Sequence, residues 1–594
     1  MLGYSTPLTV DIPTTGSLAD DVVRNADEAP DAVAFSRRTA DGWEDVTAKG
    51  FLDQVRAVAK GLVASGIEPG DRVGLLSRTR YEWTLVDYAV WFAGAVTVPL
   101  YETSSAEQIE WILADSGARA VFAEDALHVD RVAEVRGGLP LLEHVWAMDS
   151  LDALVTAGRE VSERRLEERR AALSPDSLAT LLYTSGTTGR PKGCMLTHGN
   201  FMVEVAVALD ALPELFEAED GATLLFLPLA HVFARIIQIG AVKGRIRLGH
   251  SSQASRLLDD LQTFQPTFVL GVPRVFEKVF NTASQNAVIS GKGRAFDRAA
   301  DTAIAYSRAL DTGHPGFAVR AYHSLYDRRV YQPLRDMLGG RCTYAISGGA
   351  PLGDRLGHFF RGVGLTVLEG YGLTETTGAI TANTPELTKI GTVGRPLPGV
   401  TVRVADDGEL LVKGGQVFSG YWQNDPATAE VLDADGWCHT GDLGEIDDEG
   451  FVTVTGRRKE VIVTASGKNV APAALEDRLR AHYLVSQCML VGDGRPFVGA
   501  LVTIDPDAVA VWAEQRGKST VVADLTDDAD LFAEIESAVA DANRSVSQAE
   551  GIRKFRILPV DWTEEAGQLT PSLKVRRGAV ARQFQHEIER LYER

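Results

Sequence analysis

The chain has few cysteines, a shortage of basic charge and no long hydrophobic run. Its four cysteines, Cys194, Cys342, Cys438 and Cys488, stand far apart with no CxxC pair. That excludes a disulfide framework and a zinc cluster and suits a reducing cytosol. Cys194 reads as a small buried residue. Sixty Lys+Arg stand against 81 Asp+Glu, a formal net charge of −21, which argues against nucleic acid as a partner. A phosphate-rich ligand would have to be held by local basic groups against that field. The longest apolar run, "YAVWFAGAVTVPL" from Tyr88 to Leu100, contains Gly94 and Pro99. It is too short to span a bilayer and reads as a buried helix end followed by a strand. The opening "MLGYSTPLTVDIPTTGS" lacks the basic and apolar regions of a signal peptide. A cytoplasmic location is expected, with at most a peripheral membrane contact. Also missing are a GxSxG nucleophile elbow and an HExxH metal motif.

What is present is alternation. At 594 residues, two or more domains are expected. "FLDQVRAVAKGLVASG" has helical periodicity, and "DRVGLL" after it reads as a buried strand. Short apolar runs recur at "ARAVFA", "TLLFLPL", "TFVLGV", "CTYAIS" and "LTVLEG". Amphipathic helices between such runs predict an α/β fold, a large N-terminal domain of two doubly wound subdomains. Beyond about Pro396 the pattern becomes strict alternation with turns at Asp407-Gly408 and Glu449-Gly450, predicting a small antiparallel β-barrel-like unit. The basic "GRRK" then precedes a mixed tail: "QCMLVGDGRPFVGALVTI" reads as paired strands and "DLFAEIESAVADANRSVS" as a helix. The expected division is an N-terminal domain over 1–456, a hinge at 457–459 and a smaller, mobile α+β domain over 460–594. "REVSERRLEERRAAL" reads as a solvated helix face.

The most informative stretch is "YTSGTTGRPKG", Tyr183 to Gly193. "SLATLLY" before it reads as a strand and "THGNFMVEVAVALDAL" after it as a helix, with Thr197 near its start. A strand–loop–helix of this kind aims backbone N–H groups and a positive helix end at one place, an anion site. Gly186 and Gly189 permit tight turns, hydroxyls from Thr184, Ser185, Thr187 and Thr188 add donors, and Lys192 supplies a compact charge. It is not a Walker A loop, because Gly193 follows the lysine where Ser or Thr is needed. "GYGLTE" likewise lacks the third glycine of a dinucleotide fingerprint.

"YTSGTTGRPKG" resembles the signature of the AMP-forming acyl-adenylate superfamily, which includes acyl-CoA synthetases, peptide-synthetase adenylation domains and luciferases. "LPLAHVFAR", "SGGAPL" with "LEGYGLTETTG", "WCHTGDLGEID", "GRRKEVIVTASGKNVAP" and "LTPSLKVRR" follow in the family's order. The wording is similar to bacterial long-chain fatty acid–CoA ligases. The resemblance implies a two-step reaction: a fatty carboxylate attacks the α-phosphate of ATP, then the CoA thiol takes the acyl group from AMP. Such chemistry needs charge stabilisation and positioning, and no protein nucleophile.

By the same resemblance, Lys574 bridges carboxylate and α-phosphate, and Glu375, beside Thr374, holds Mg²⁺, with Thr187 as a weaker ligand. His231 lies beside the acyl site. The Gly348-Gly349-Ala350 turn meets the adenine, with Tyr371 stacking on its other face; Glu369, Gly370, Gly372 and Thr374 belong to the ATP/AMP site, Thr374 also among the catalytic residues. Asp442 accepts from the ribose hydroxyls, assisted by Arg457. Lys459 is the hinge, and Gly467 and Lys468 face CoA, Gly467 at the pantetheine tunnel. ATP, CoA and a fatty acid are the expected small-molecule partners. Open alternatives are a fatty-acyl-AMP ligase serving a separate carrier protein, a luciferase-like monooxygenase and a nucleotide sensor.

Overall fold

The computed structural model describes residues 2–184, 190–218, 220–548, 550–570 and 573–593. The alternating pattern becomes two mostly parallel sheets. The first has six strands in the order His144–Ala147, Ala120–Ala123, Arg72–Leu76, Val96–Leu100, Leu178–Thr184, Lys192–Thr197. All its neighbours are parallel except the last pair. The second has nine strands, in the order Arg395–Pro396, Gly378–Ala382, Thr366–Leu373, Tyr344–Ser347, Phe268–Gly271, Ala222–Leu225, Arg247–His250, Val33–Thr39, Gly42–Thr47. Its centre is parallel and both margins turn antiparallel.

Strands covered by helices on both faces must be apolar throughout, which is why "VTVPL" and "FVLG" are buried at every position. The helix Tyr81–Phe92 of the first sheet meets the helix Val232–Gly244 of the second through a buried ion pair. Arg235 and Asp87 are both 0% exposed, with Nη2 2.6 Å from Oδ1. Thr97, Thr180 and Gln238 add further hydrogen bonds, and the Trp83 and Trp91 rings flank the guanidinium. An ion pair this dry is tolerated because every polar atom of the two groups except Arg235 Nε finds a partner.

The small β unit is a five-stranded antiparallel sheet over Thr401–Val404, Glu409–Lys413, Cys438–Ile446 and Val452–Arg457, completed by Gly3–Ser5 from the opposite end of the chain. The C-terminal unit has its own three-stranded sheet, Val485–Val491, Val498–Ile504 and Ile552–Ile557. Helices Pro472–Arg480 and Ala529–Asn543 cover one face, through Leu475, Leu479, Ile535 and Val539. Met489, Leu501, Trp562, Val580 and Leu591 pack on the other. Polar contacts tie this unit to the large one: Arg274 to Ser486 at 3.2 Å and to Asp505 at 3.4 Å, Arg355 Nη2 to the Ala481 carbonyl at 3.1 Å, and Thr103 to Glu564.

One sequence expectation fails at the Gly-rich loop. The chain does not pass from loop to helix. It returns as the strand Lys192–Thr197, paired antiparallel with Leu178–Thr184 so that Thr184 faces Lys192. "KGCMLT" buries Gly193, Cys194 and Leu196, which makes it a sheet segment. The helix His198–Ala211 starts only afterwards, N-capped by Thr197, whose Oγ1 accepts from Asn200 N at 3.1 Å. Six strand residues, about 20 Å, separate that helix end from the loop, so its dipole does not act there.

Candidate active site

In open parallel sheets ligands collect beyond the carboxyl ends of the strands. The strands Leu178–Thr184, Tyr344–Ser347 and Thr366–Leu373 all end toward one region and carry the singled-out motifs. Ser185, Gly186, Thr187, Thr188 and Gly189 lie outside the described residues. The ends of their loop are pinned: Tyr183 donates to Asp115 at 2.6 Å, and Trp111 Nε1 donates to the Pro191 carbonyl at 2.9 Å. Beyond the loop, Lys192 Nζ stands 4.9 Å from the centre of the Tyr421 ring.

Tyr421 links that lysine to Glu375. Its hydroxyl donates to Glu375 Oε1 at 2.6 Å. The segment carrying it runs along the edge of Lys192–Thr197, with Met195 N bonded to the Gly420 carbonyl at 3.0 Å and Trp422 N to Gly193 at 2.8 Å. Glu375 sits with Thr374 on a single 3₁₀ turn, Thr374–Thr376, at the end of the strand. Thr376 Oγ1 closes the turn by accepting from Leu373 N at 2.8 Å, and Thr377 turns back with φ +57°. Gly372 is required just before it, since a Cβ there would fall on the Gly378 carbonyl. Tyr421 was not singled out from sequence; its one signal, "SGYW" between glycine-rich segments, is not distinctive.

The second cluster joins the large unit to the C-terminal one. Tyr371 donates to Asp442 Oδ2 at 2.6 Å, and Arg457 Nε lies 3.1 Å from Asp442 Oδ1. Asp442 and Arg457 are register partners on adjacent strands. Each carboxylate oxygen keeps a lone pair for a further donor. Lys574 arrives from the C-terminal unit on a tight turn, where Thr570 Oγ1 accepts from Lys574 N at 3.0 Å and Leu573 takes φ +61°. Its side chain lies against Gly349, where a Cβ would stand 3.6 Å from Cε and 3.8 Å from Nζ. Gly349 has φ +82°, so glycine supplies both the turn and the space. Burial first, then the Arg457 charge, bring the Lys574 ammonium down to about 8, with Asp442 and Glu460 opposing.

His231 caps the helix Val232–Gly244, its Nδ1 accepting from Phe233 N at 3.2 Å. Burial and the Lys574 charge push it down to about 3, so it is neutral with its proton on Nε2. Gly348 is buried and packs on Phe233, whereas Gly349 and Ala350 are exposed. The Glu369 carboxyl turns inward and accepts from Leu352 N at 2.8 Å, bracing the turn from behind. Burial raises it to about 7. Gly370 lies close to the Thr381 carbonyl across the sheet. Lys459 is exposed on the short turn Arg458–Glu460. Gly467 has φ +78° and open space where a Cβ would stand, and Lys468 pairs with Glu550 at 3.0 Å. The geometry therefore joins the tyrosine, ribose-motif and Lys574 positions, and leaves the Gly467 loop unengaged.

The family models match this arrangement in two pieces, "AMP-binding enzyme" over residues 22–422 and "AMP-binding enzyme C-terminal domain" over 459–594. The chain belongs to the AMP-binding enzyme family. Its similarity to the long-chain-fatty-acid–CoA ligase FadD15 of Mycobacterium bovis is 52% identity across the whole of both chains. Long-chain-fatty-acid–CoA ligase ACSBG2 of Xenopus laevis is 29% identical over 95% of this chain and 82% of its own. Among solved structures, the A domain of carboxylic acid reductase from Segniliparus rugosus, in complex with AMP and a co-purified carboxylic acid, superposes with TM-score 0.77. It is 21% identical, over 97% of this chain and 94% of that one. O-succinylbenzoate coenzyme A synthetase from Bacillus subtilis with ATP and magnesium gives TM-score 0.66 at 20% identity, over 94% and 98%. At such identities these two share the fold. As an AMP-binding enzyme, the chain keeps both halves of the family's architecture.

Proposed function

We propose that this chain is an ATP-dependent long-chain fatty acid–CoA ligase. One observation carries the reading: Lys574, from the C-terminal unit, lies against the Gly349 turn within the electrostatic reach of Arg457, Asp442 and His231. A mobile cation delivered to a glycine turn beside a ribose-type carboxylate suits the joining of two anions.

In the first step a carboxylate oxygen attacks the α-phosphorus of ATP, and the bond to the bridging oxygen of pyrophosphate breaks. Like charges oppose that approach, and Lys574 offsets the repulsion. Asp442 and Arg457 orient the ribose, the Gly348–Ala350 turn and Tyr371 border the base, and Lys192 with the Gly-rich loop holds the outer phosphates. Because the Tyr371 hydroxyl is committed to Asp442, that ring is fixed in orientation before the nucleotide arrives. His231, neutral, borders the acyl group. Glu375 fits a Mg²⁺ carried by the nucleotide: no group of three acidic, His or Cys ligands exists among the described residues, and one carboxylate with phosphate oxygens and waters is usual for this ion. Bound there, the ion would neutralise phosphate charge; Tyr421 holds the Glu375 carboxylate in place.

In the second step the CoA thiol attacks the acyl carbonyl, and AMP leaves with the bonding electrons. Lys574 then has to withdraw, and a rotation about Lys459, between a domain over 1–456 and one over 460–594, would bring the Gly467–Lys468 turn to the site. The open space around Gly467 suits a loop whose partner comes with rotation. A cytoplasmic enzyme is the favoured setting; among the described residues no helix is long and apolar enough to cross a membrane.

The test is to offer saturated carboxylates from acetate to arachidate with ATP and Mg²⁺, with and without CoA, and to follow AMP and thioester. Long-chain acids should give both products only with CoA. Release peaking at acetate, or acyl-AMP passed to a carrier protein but never to CoA, would overturn the assignment.

A further inference from the structure

The helix Phe317–Tyr326 contains no buried residue, although its position is firmly set. Its inner side is anchored: the His323 ring stacks on Tyr306 at 3.9 Å between centroids, and His323 Nε2 donates to the Gly362 carbonyl at 2.6 Å. Tyr326 packs onto the core that also holds Phe280, Phe296 and Phe359. The outer side is therefore presented to solvent by a fixed helix.

That outer side is apolar. Phe317 is 88% exposed, Tyr322 57% and Leu325 51%, and Leu310, at the end of the preceding helix, adds 42%. With 100° between successive residues, Phe317, Leu325 and Tyr322 fall on one arc of the helix, opposite Val319, His323 and Tyr326. Arg320 lies at one margin of that arc, and Arg328 and Arg329 follow on the next turn; all three are exposed. None of them forms an ion pair among the described residues; Asp327, just before Arg328, is taken by Arg335 at 2.8 Å, and Asp311, beside Leu310, by Arg361 at 2.6 Å. In a chain of net charge −21, an uncompensated basic and aromatic face is out of character with the rest of the surface. A protein face selected only for solubility would be acidic or mixed.

We propose that this face docks the protein on a lipid surface carrying anionic headgroups. The ring and the leucines enter the interfacial layer while the arginines meet the headgroups, as on amphipathic helices lying in a membrane plane. A two-fold pairing of this face with itself would set the same arginines against one another, so the charge fits an anionic bilayer better than a symmetric second copy of this chain. The proposal is independent of the adenylation chemistry.

The test is flotation of the full chain with vesicles of phosphatidylcholine alone or of equal parts phosphatidylcholine and phosphatidylglycerol. The unsubstituted protein should float with the anionic vesicles and stay behind with the neutral ones, and added salt should release it. The triple variant Arg320→Glu, Arg328→Glu, Arg329→Glu should lose about 100-fold or more in partitioning, from roughly fivefold per arginine. The double variant Phe317→Ser, Leu325→Ser should lose about 100-fold, from roughly tenfold per side chain. All these positions are exposed, and each variant should keep its unfolding midpoint and its rate on a detergent-dispersed acid. Unchanged flotation of both variants, no flotation of the parent, or a parent dimer dispersed by either variant would overturn the proposal.

Discussion

Replacing Lys574 by alanine removes the cation that separates a reactive from an unreactive encounter of two anions. Its Nζ lies 3.8 Å from where a Cβ on Gly349 would stand, so an anion seated against that turn is about 4 Å from the ammonium. At an effective dielectric constant of about 20, a unit charge pair at that distance is worth about 4 kcal/mol, or roughly a thousandfold in rate. The assay is a single-turnover measurement of acyl-AMP from ATP and a long-chain acid, set beside thioester formation from supplied acyl-AMP and CoA. Lys574→Ala should slow the first about a thousandfold and leave the second near its unsubstituted rate. A loss below tenfold, or equal losses in both steps, would refute the reasoning, because either result would mean that Lys574 does not meet the reacting charges.

Three further outcomes are expected. With burial and Arg457 bringing Lys574 to about 8, the charge needed for adenylation is present below that pH and lost above it. kcat/KM for adenylation, which reports the free enzyme, should therefore fall as pH rises through about 8, and Lys574→Arg should remove that limb; a flat profile to pH 10 contradicts it. Lys459→Pro should spare acyl-AMP formation and stop thioester formation, measured on the same two half-reactions, whereas parallel losses would dismiss a hinge at this position. Asp87→Ala leaves the Arg235 charge buried without its partner and should cost about 3–5 kcal/mol of stability in denaturant unfolding; a change under 1 kcal/mol would show that the pair does not bind the two large subdomains together.

The fold was legible wherever a strand is buried on both faces. "DRVGLL", "TFVLGV" and "CTYAIS" stand out because β-branched and small apolar residues run together between amphipathic helices, and all three are strands. The Gly-rich segment was legible as a turn but not as a hairpin. "KGCMLT" is short, and its strand character comes from a hairpin pairing with Leu178–Thr184 and from the Gly420–Trp422 segment on its other edge, the latter more than two hundred residues away in sequence. Tyr421 and the inward turn of Glu369 were hidden for the same reason. The role of a tyrosine depends on the carboxylate opposite it, and only the tertiary structure brings Glu375 there. "REVSERRLEERRAAL" reads as solvated, and most of its helix is; Arg169 is buried because it reaches the Ile67 carbonyl at 2.5 Å and pairs with Glu68. Periodicity marks which face a charge occupies and is blind to a carbonyl waiting beneath it.

The central claim is that this chain transfers a carboxylate onto AMP before CoA takes part. Exchange of labelled pyrophosphate into ATP, with a long-chain fatty acid and Mg²⁺ present and CoA withheld, tests it most directly. Label should enter ATP only when the acid is added, and the rate should collapse in Lys574→Ala. Exchange that never exceeds the acid-free background, across the full range of acids, would contradict it.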